Sequence, residues 1–139
     1  MRTSISSGNL TPESFDELLA RSEVLTLHLP KTRQTLGLYS RGALGKLQKG
    51  CVLVNTCRGG IVDEDALLER LDNGAVMAAC FDVFANEPAH NDRLLRHPNM
   101  LAAPHIGAST EETRLILVRA AIKGLTHATV VEPEEFYGV

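Results

Sequence analysis

The chain has 139 residues, 44% of them apolar, and a formal net charge of -3, which suits one globular domain with a real core. No basic face stands out to hold nucleic acid, and no apolar run approaches the roughly 20 residues of a membrane helix. The opening MRTSISSGNLTPE lacks the apolar stretch of a signal peptide.

In chain order, residues 1–13 read as a loose polar lead. A helix follows, with S-x-x-E capping-box spacing at Ser14 and Glu17, an alternative earlier cap at Thr11–Pro12, and an apolar face of Phe15, Leu18 and Leu19. EVLTLHL, 23–29, is a strand that Pro30 ends. Ser40 to Gln48 is a short helix with Gly50 just past it. CVLVNT, 51–56, is a nearly unbroken apolar strand, as expected when both faces are covered. Asp63 caps the next helix, Glu64 and Asp65 suit its first turn, and Asn73-Gly74 closes it. VMAACFDVF, 76–84, is another buried strand, followed by a loop over 85–99 containing two prolines. MLAAP, 100–104, is a fourth strand. Ser109 to Glu112 is a second capping box, opening a helix to about Ala128, and residues 129–139 form an irregular tail.

Apolar strands alternating with helices predict an α/β fold: a parallel sheet with helices on both faces, over residues 14–128. Such sheets bind ligands beyond the carboxyl ends of their strands. Three cysteines cannot all pair within one chain; Cys51 and Cys80 lie in apolar runs and read as reduced core residues, so a cytoplasmic protein is expected. No C-x-x-C or Cys/His cluster points to a metal.

His28, Arg58, Asp82 and His105 fall at or just after strand ends, and Glu87 follows Asp82 in a loop. Arg58 has two readings: a surface arginine paired with Asp63 or Glu64, or a clamp holding a carboxylate by two parallel hydrogen bonds. Gly59 and Gly60 would give backbone and ligand room to approach. His105 is either a packed histidine or a general acid/base. A helix N-terminus beside it disfavours imidazolium, so a carboxylate is needed nearby, and Glu87 is the candidate. Asp82, inside ACFDVF, must be hydrogen-bonded if buried, and its place favours a functional role. His28 reads as structural, and His90, His97 and His127 as solvated.

Four blocks, SFDELLARSEVLTLHLPKT, KGCVLVNTCRGGIVDEDALLERL, AACFDVFANEP and NMLAAPHIGAST, resemble the D-isomer-specific 2-hydroxyacid dehydrogenases over roughly residues 14–128, most nearly the branch that acts on 3-phosphoglycerate. The resemblance implies that Arg58 binds the substrate carboxylate and keto oxygen. It implies that Glu87 pairs with a catalytic His105, which takes the hydroxyl proton as hydride leaves for NAD. It further implies that Asp82 lies near the nicotinamide carboxamide, that Thr56, Cys57, Gly107 and Ala108 line the nicotinamide side with Arg58 and His105, and that Leu29 walls the adenosine and ribose.

Such enzymes seat the NAD pyrophosphate on a G-x-G-x-x-G turn. None of the eleven glycines here makes that pattern. The chain therefore reads as the second half of a cofactor domain, a partial Rossmann-type sheet whose first βαβ unit is missing, with weak NAD binding and an inactive isolated chain expected. An unpaired sheet edge predicts either a homodimer or low stability. The alternatives are a non-enzymatic α/β interaction module derived from such an enzyme, and an enzyme in which two chains complement each other.

Overall fold

The computed structural model describes residues 14–126. Thr11–Pro12, the rest of the lead, His127 and the tail lie outside that range. The chain divides into two compact units, Met1–His105 and Ile106–Val139. Helix α1 is Phe15–Arg21, β1 Val24–Leu27, α2 Arg41–Leu44, β2 Cys51–Asn55, α3 Glu64–Asp72, β3 Val76–Phe81, α4 Asp92–Leu95, β4 Met100–Ala102 and α5 Glu111–Thr126. Among the described residues no helix is long and apolar enough to cross a membrane.

The four strands form one parallel sheet in the order β1-β2-β3-β4, the expected α/β class. Parallel neighbours need crossovers, and α2, α3 and α4 lie in the three connections. Each new strand is added on the same side of the last. The right-handed crossover rule then sends every connecting helix to one face. The helices of this unit accordingly pack in a row, α1 on α2, α2 on α3 and α3 on α4. On the face that these helices cover, Leu25 and Leu27, Cys51 and Leu53, and Ala79 and Phe81 point into a core shared with Leu19, Leu44, Leu67 and Leu94. The alternate residues face outward: Val24 is 63% exposed and Leu101 68%. The unbroken apolar run of β2 hides an alternation in burial, with Val52 and Val54 only half-buried.

The helix starts follow capping chemistry. Ser14 and Glu17 form the expected reciprocal box, and Phe15 meets Tyr39 edge to face at 5.5 Å between ring centroids. Asp63 accepts from the Ala66 N–H and opens α3, which ends at Asn73 with Gly74 at φ 69°. Helix α2 is one turn shorter at its end than expected, because Gly45 takes the C-cap position. The 85–99 loop holds a turn of helix that sequence reading missed: Asn91 Oδ1 accepts from Leu94 N–H at 3.1 Å, and Leu94 is anchored in the core. In the second unit, α5 starts one residue later than the expected box. Thr110, not Ser109, accepts from the amide three residues on, Thr113 N–H, at 3.2 Å.

The alternation in burial along β2 has a measurable consequence. Leu53→Ala, at a buried position, should lower stability by about 2–5 kcal/mol, and Val54→Ala, its half-buried neighbour, by less than about half of that. Urea unfolding of the two variants compares them directly; equal losses would mean that both faces are covered in solution.

Candidate active site

The site is built where β2 and β3 end. Asn55, the last residue of β2, is 1% exposed, a polar side chain that needs partners. Its Oδ1 accepts from the Cys57 N–H at 3.2 Å and from the Cys57 thiol at 3.1 Å, while its Nδ2 donates to the Arg58 carbonyl at 3.2 Å. One buried amide thus folds the Thr56–Arg58 turn and delivers an exposed guanidinium at its tip. Arg58 Nη1 donates to the Cys57 carbonyl at 2.6 Å. Of its two readings, the surface pairing with Asp63 or Glu64 is not formed among the described residues, where both acids are otherwise engaged: Asp63 caps α3, and Glu64 Oε1 accepts from the Ala85 N–H at 2.6 Å. A guanidinium has five N–H donors, and among the described residues only the Cys57 carbonyl takes one.

The adjacent Gly59 gives room for a close backbone approach. A Cβ on Gly59 would sit 1.7 Å from the Phe84 carbonyl oxygen, so the two backbones touch there. This contact presses the turn after β2 against the segment after β3. Asp82, 9% exposed, donates its N–H to the Asn55 carbonyl at 3.0 Å and so extends the ladder one residue beyond β3. The strand stops short of the expected Phe84 because the Phe84 N–H turns away to Glu87 Oε1, at 3.1 Å.

Glu87 completes the arrangement. Its Oε2 lies 2.8 Å from His105 Nδ1. The His105 hydrogen bond, followed by the Phe84 N–H, holds the Glu87 carboxyl below its ordinary value of 4.5. A carboxylate only accepts, so Nδ1 carries the shared proton and Nε2 is the ring atom left to meet a substrate. His105 adopts φ 55°, uncommon for a residue with a side chain. A largely apolar cavity of about 450 Å³ opens beside the pair, lined by Asp82, Phe84, Glu87, Leu95, Pro104 and His105. An imidazole held by a carboxylate at the mouth of an apolar cavity is suited to proton transfer.

The structure brings Asp82, Glu87 and His105 to one cavity and sets Arg58 on the neighbouring strand end. Thr56 is exposed, Cys57 half-buried against Asn55, and Leu29 half-buried against the core beyond β1. Gly107 and Ala108 belong to the second unit, where they are exposed. His28 is exposed with Nε2 3.0 Å from Thr26 Oγ1. His97, expected to be solvated, has a side chain only 11% exposed; Nδ1 accepts from the Asn99 N–H at 3.1 Å and Nε2 faces Asp72 at 3.6 Å. It is enclosed because the unforeseen α4 carries it back toward the end of α3. Sequence reading passed over Asn55 and treated Glu64 as a helix-start charge or a surface partner of Arg58. The signal for Asn55 was a lone polar residue at a core-facing position of CVLVN.

Residues 2–107 match the family model for the D-isomer specific 2-hydroxyacid dehydrogenase, NAD binding domain. The chain is 46% identical over 102 residues to a D-3-phosphoglycerate dehydrogenase of Bacillus subtilis and 48% over 102 residues to one of Archaeoglobus fulgidus; each match covers 73% of this chain and 19% of the relative. The chain thus spans about a fifth of the length of these curated relatives. A glyoxylate reductase from Paecilomyes thermophila superposes with a TM-score of 0.82 at 36% identity, over 88% of this chain and 39% of that one.

Two outcomes test the geometry. Gly59→Ala should cost about 3 kcal/mol or more in urea unfolding, because backbone must move to admit the methyl group; a loss under about 1 kcal/mol would mean that the two turns do not touch. In His105→Ala the Glu87 carboxyl should titrate closer to 4.5, read by carboxyl-carbon NMR. Since the folded value lies below the ordinary one, the stability contributed by the pair is present above 4.5 and fades as pH falls through the lowered value. An unchanged titration would show that the pair is not formed.

Proposed function

The chain belongs to the D-isomer-specific 2-hydroxyacid dehydrogenase family through its NAD-binding domain, and from that premise we propose that its strand ends are the catalytic half-site for hydride transfer between a D-2-hydroxy acid and NAD. The observation that carries this reading is the 2.8 Å contact of His105 Nδ1 with Glu87, which leaves Nε2 to work. His105 Nε2 takes the hydroxyl proton of the acid, and Glu87 stabilises the imidazolium that forms. Arg58 grips the substrate carboxylate and the oxygen on which charge changes. NAD, when bound, supplies the hydride acceptor. In reduction of a 2-oxo acid the proton runs the other way.

The donor set fits the nicotinamide end of the cofactor. A buried Asp82 and His105 share one cavity, and Thr56 and Cys57 belong to the same end in this reading, with Leu29 toward the ribose and adenosine. The pyrophosphate has no G-x-G-x-x-G turn in this sequence. The chain alone therefore holds NAD weakly and does not turn over, and the complete activity, with 3-phosphoglycerate as a fitting substrate, needs further residues. Work as a reduced cytoplasmic homodimer is part of the same reading. The exposed apolar face of the sheet favours one other reading, a non-enzymatic interaction module.

An NADH titration followed through the chain's amide NMR signals decides between them. The chain has no tryptophan, so the fluorescence of NADH reports saturation in parallel. Shifts at Arg58, Asp82 and His105 at millimolar NADH, without saturation in the micromolar range, are the expected outcome. Micromolar saturation would overturn the weak-binding part. No shift at those residues would overturn the half-site and favour the interaction module.

A further inference from the structure

We propose that Glu64, at the start of α3, is a positioning residue that sets the Glu87–His105 pair; the inference rests on the proposed proton-transfer role of that pair. Glu87 lies in an exposed segment between β3 and α4, and three contacts fix the turn that carries it. Its own Oε1 accepts from the Phe84 N–H, and Gly59 abuts the Phe84 carbonyl. The third is Glu64, whose Oε1 accepts from the next amide, Ala85 N–H, at 2.6 Å across 21 residues of sequence. Consecutive amides are thus taken by different carboxylates, one local and one from a helix anchored in the core by Leu67 and Leu71. The local bond shapes the turn. The long-range one ties it to a rigid element, and a catalytic pair must hold its geometry to within fractions of an ångström.

The neighbours of Glu64 have separate tasks. Asp63 Oδ1 caps α3 at Ala66, and Asp65 Oδ1 accepts from Asn91 Nδ2 at 3.2 Å, steadying the cap of α4. Burial raises the Glu64 carboxyl above its ordinary value, the Ala85 N–H opposes this, and Asp65 and Asp63 add to the rise. The carboxylate stays half-buried in a place where a solvated residue would serve the helix equally well.

Two conservative variants separate reach from charge. Glu64→Gln keeps the length and an acceptor oxygen but loses the charge. Glu64→Asp keeps the charge at the helix start but is one methylene short. Carboxyl-carbon NMR of Glu87 and amide exchange at Ala85 are read in both, with Glu87→Gln to assign the signal. Glu64→Gln should preserve the lowered Glu87 titration and the slow Ala85 exchange. Glu64→Asp should move the Glu87 midpoint toward 4.5 and speed Ala85 exchange about tenfold, as loss of one hydrogen bond implies. The opposite pattern, Asp preserving and Gln losing, would make Glu64 only a helix-start charge and overturn the proposal. So would a Glu87 titration unchanged in both variants. Neither readout uses turnover or cofactor, so a failure here is distinct from a failure of the proposed activity.

Discussion

Parallel pairing of β2 with β3 is the constraint from which the site follows. The register sets Asn55 opposite Phe81, so both strands end at the same edge of the sheet. The Asp82 N–H then continues the ladder to the Asn55 carbonyl. That shared edge lets two loops far apart in sequence touch at bare backbone, Gly59 on Phe84. An antiparallel pair would have sent the two ends to opposite sides of the sheet and left arginine and histidine apart.

On that frame, the polar groups act as fasteners more than as surface. Asn55 closes one turn, the Phe84 N–H meets Glu87 in the next, and Glu64 binds the second turn to α3. Each is a bond between a side chain and backbone, which fixes a loop without a second side chain having to be ordered. The groups left outward, the Arg58 fork and His105 Nε2, are those suited to an anionic, hydroxyl-bearing ligand.

Much of this was legible from the chain itself. Ser14, Asp63 and Asn73-Gly74 mark helix ends through short-range chemistry, which local sequence records faithfully. Arg58, Asp82, Glu87 and His105 stood out because each interrupts or follows an apolar run. What was not legible depended on partners distant in sequence. Gly59 read as room for backbone and ligand, but nothing local reveals that the approaching backbone is the Phe84 carbonyl. Glu64 looked like a helix-start charge because its partner lies 21 residues away. The alternation in burial along CVLVN was hidden because an apolar residue reads the same at a buried and at a half-buried position. His97 looked solvated because the turn of helix that encloses it rests on a single Asn91 cap.

The apolar residues that the sheet leaves exposed also shape how this unit responds to temperature. Apolar surface that remains in water after folding, as at Val24 and Leu101, adds nothing to the heat-capacity increment of unfolding. Each apolar side chain left in water lowers that increment relative to the same side chain buried. A small increment gives a broad, shallow stability curve. Cooling then erodes less of the margin.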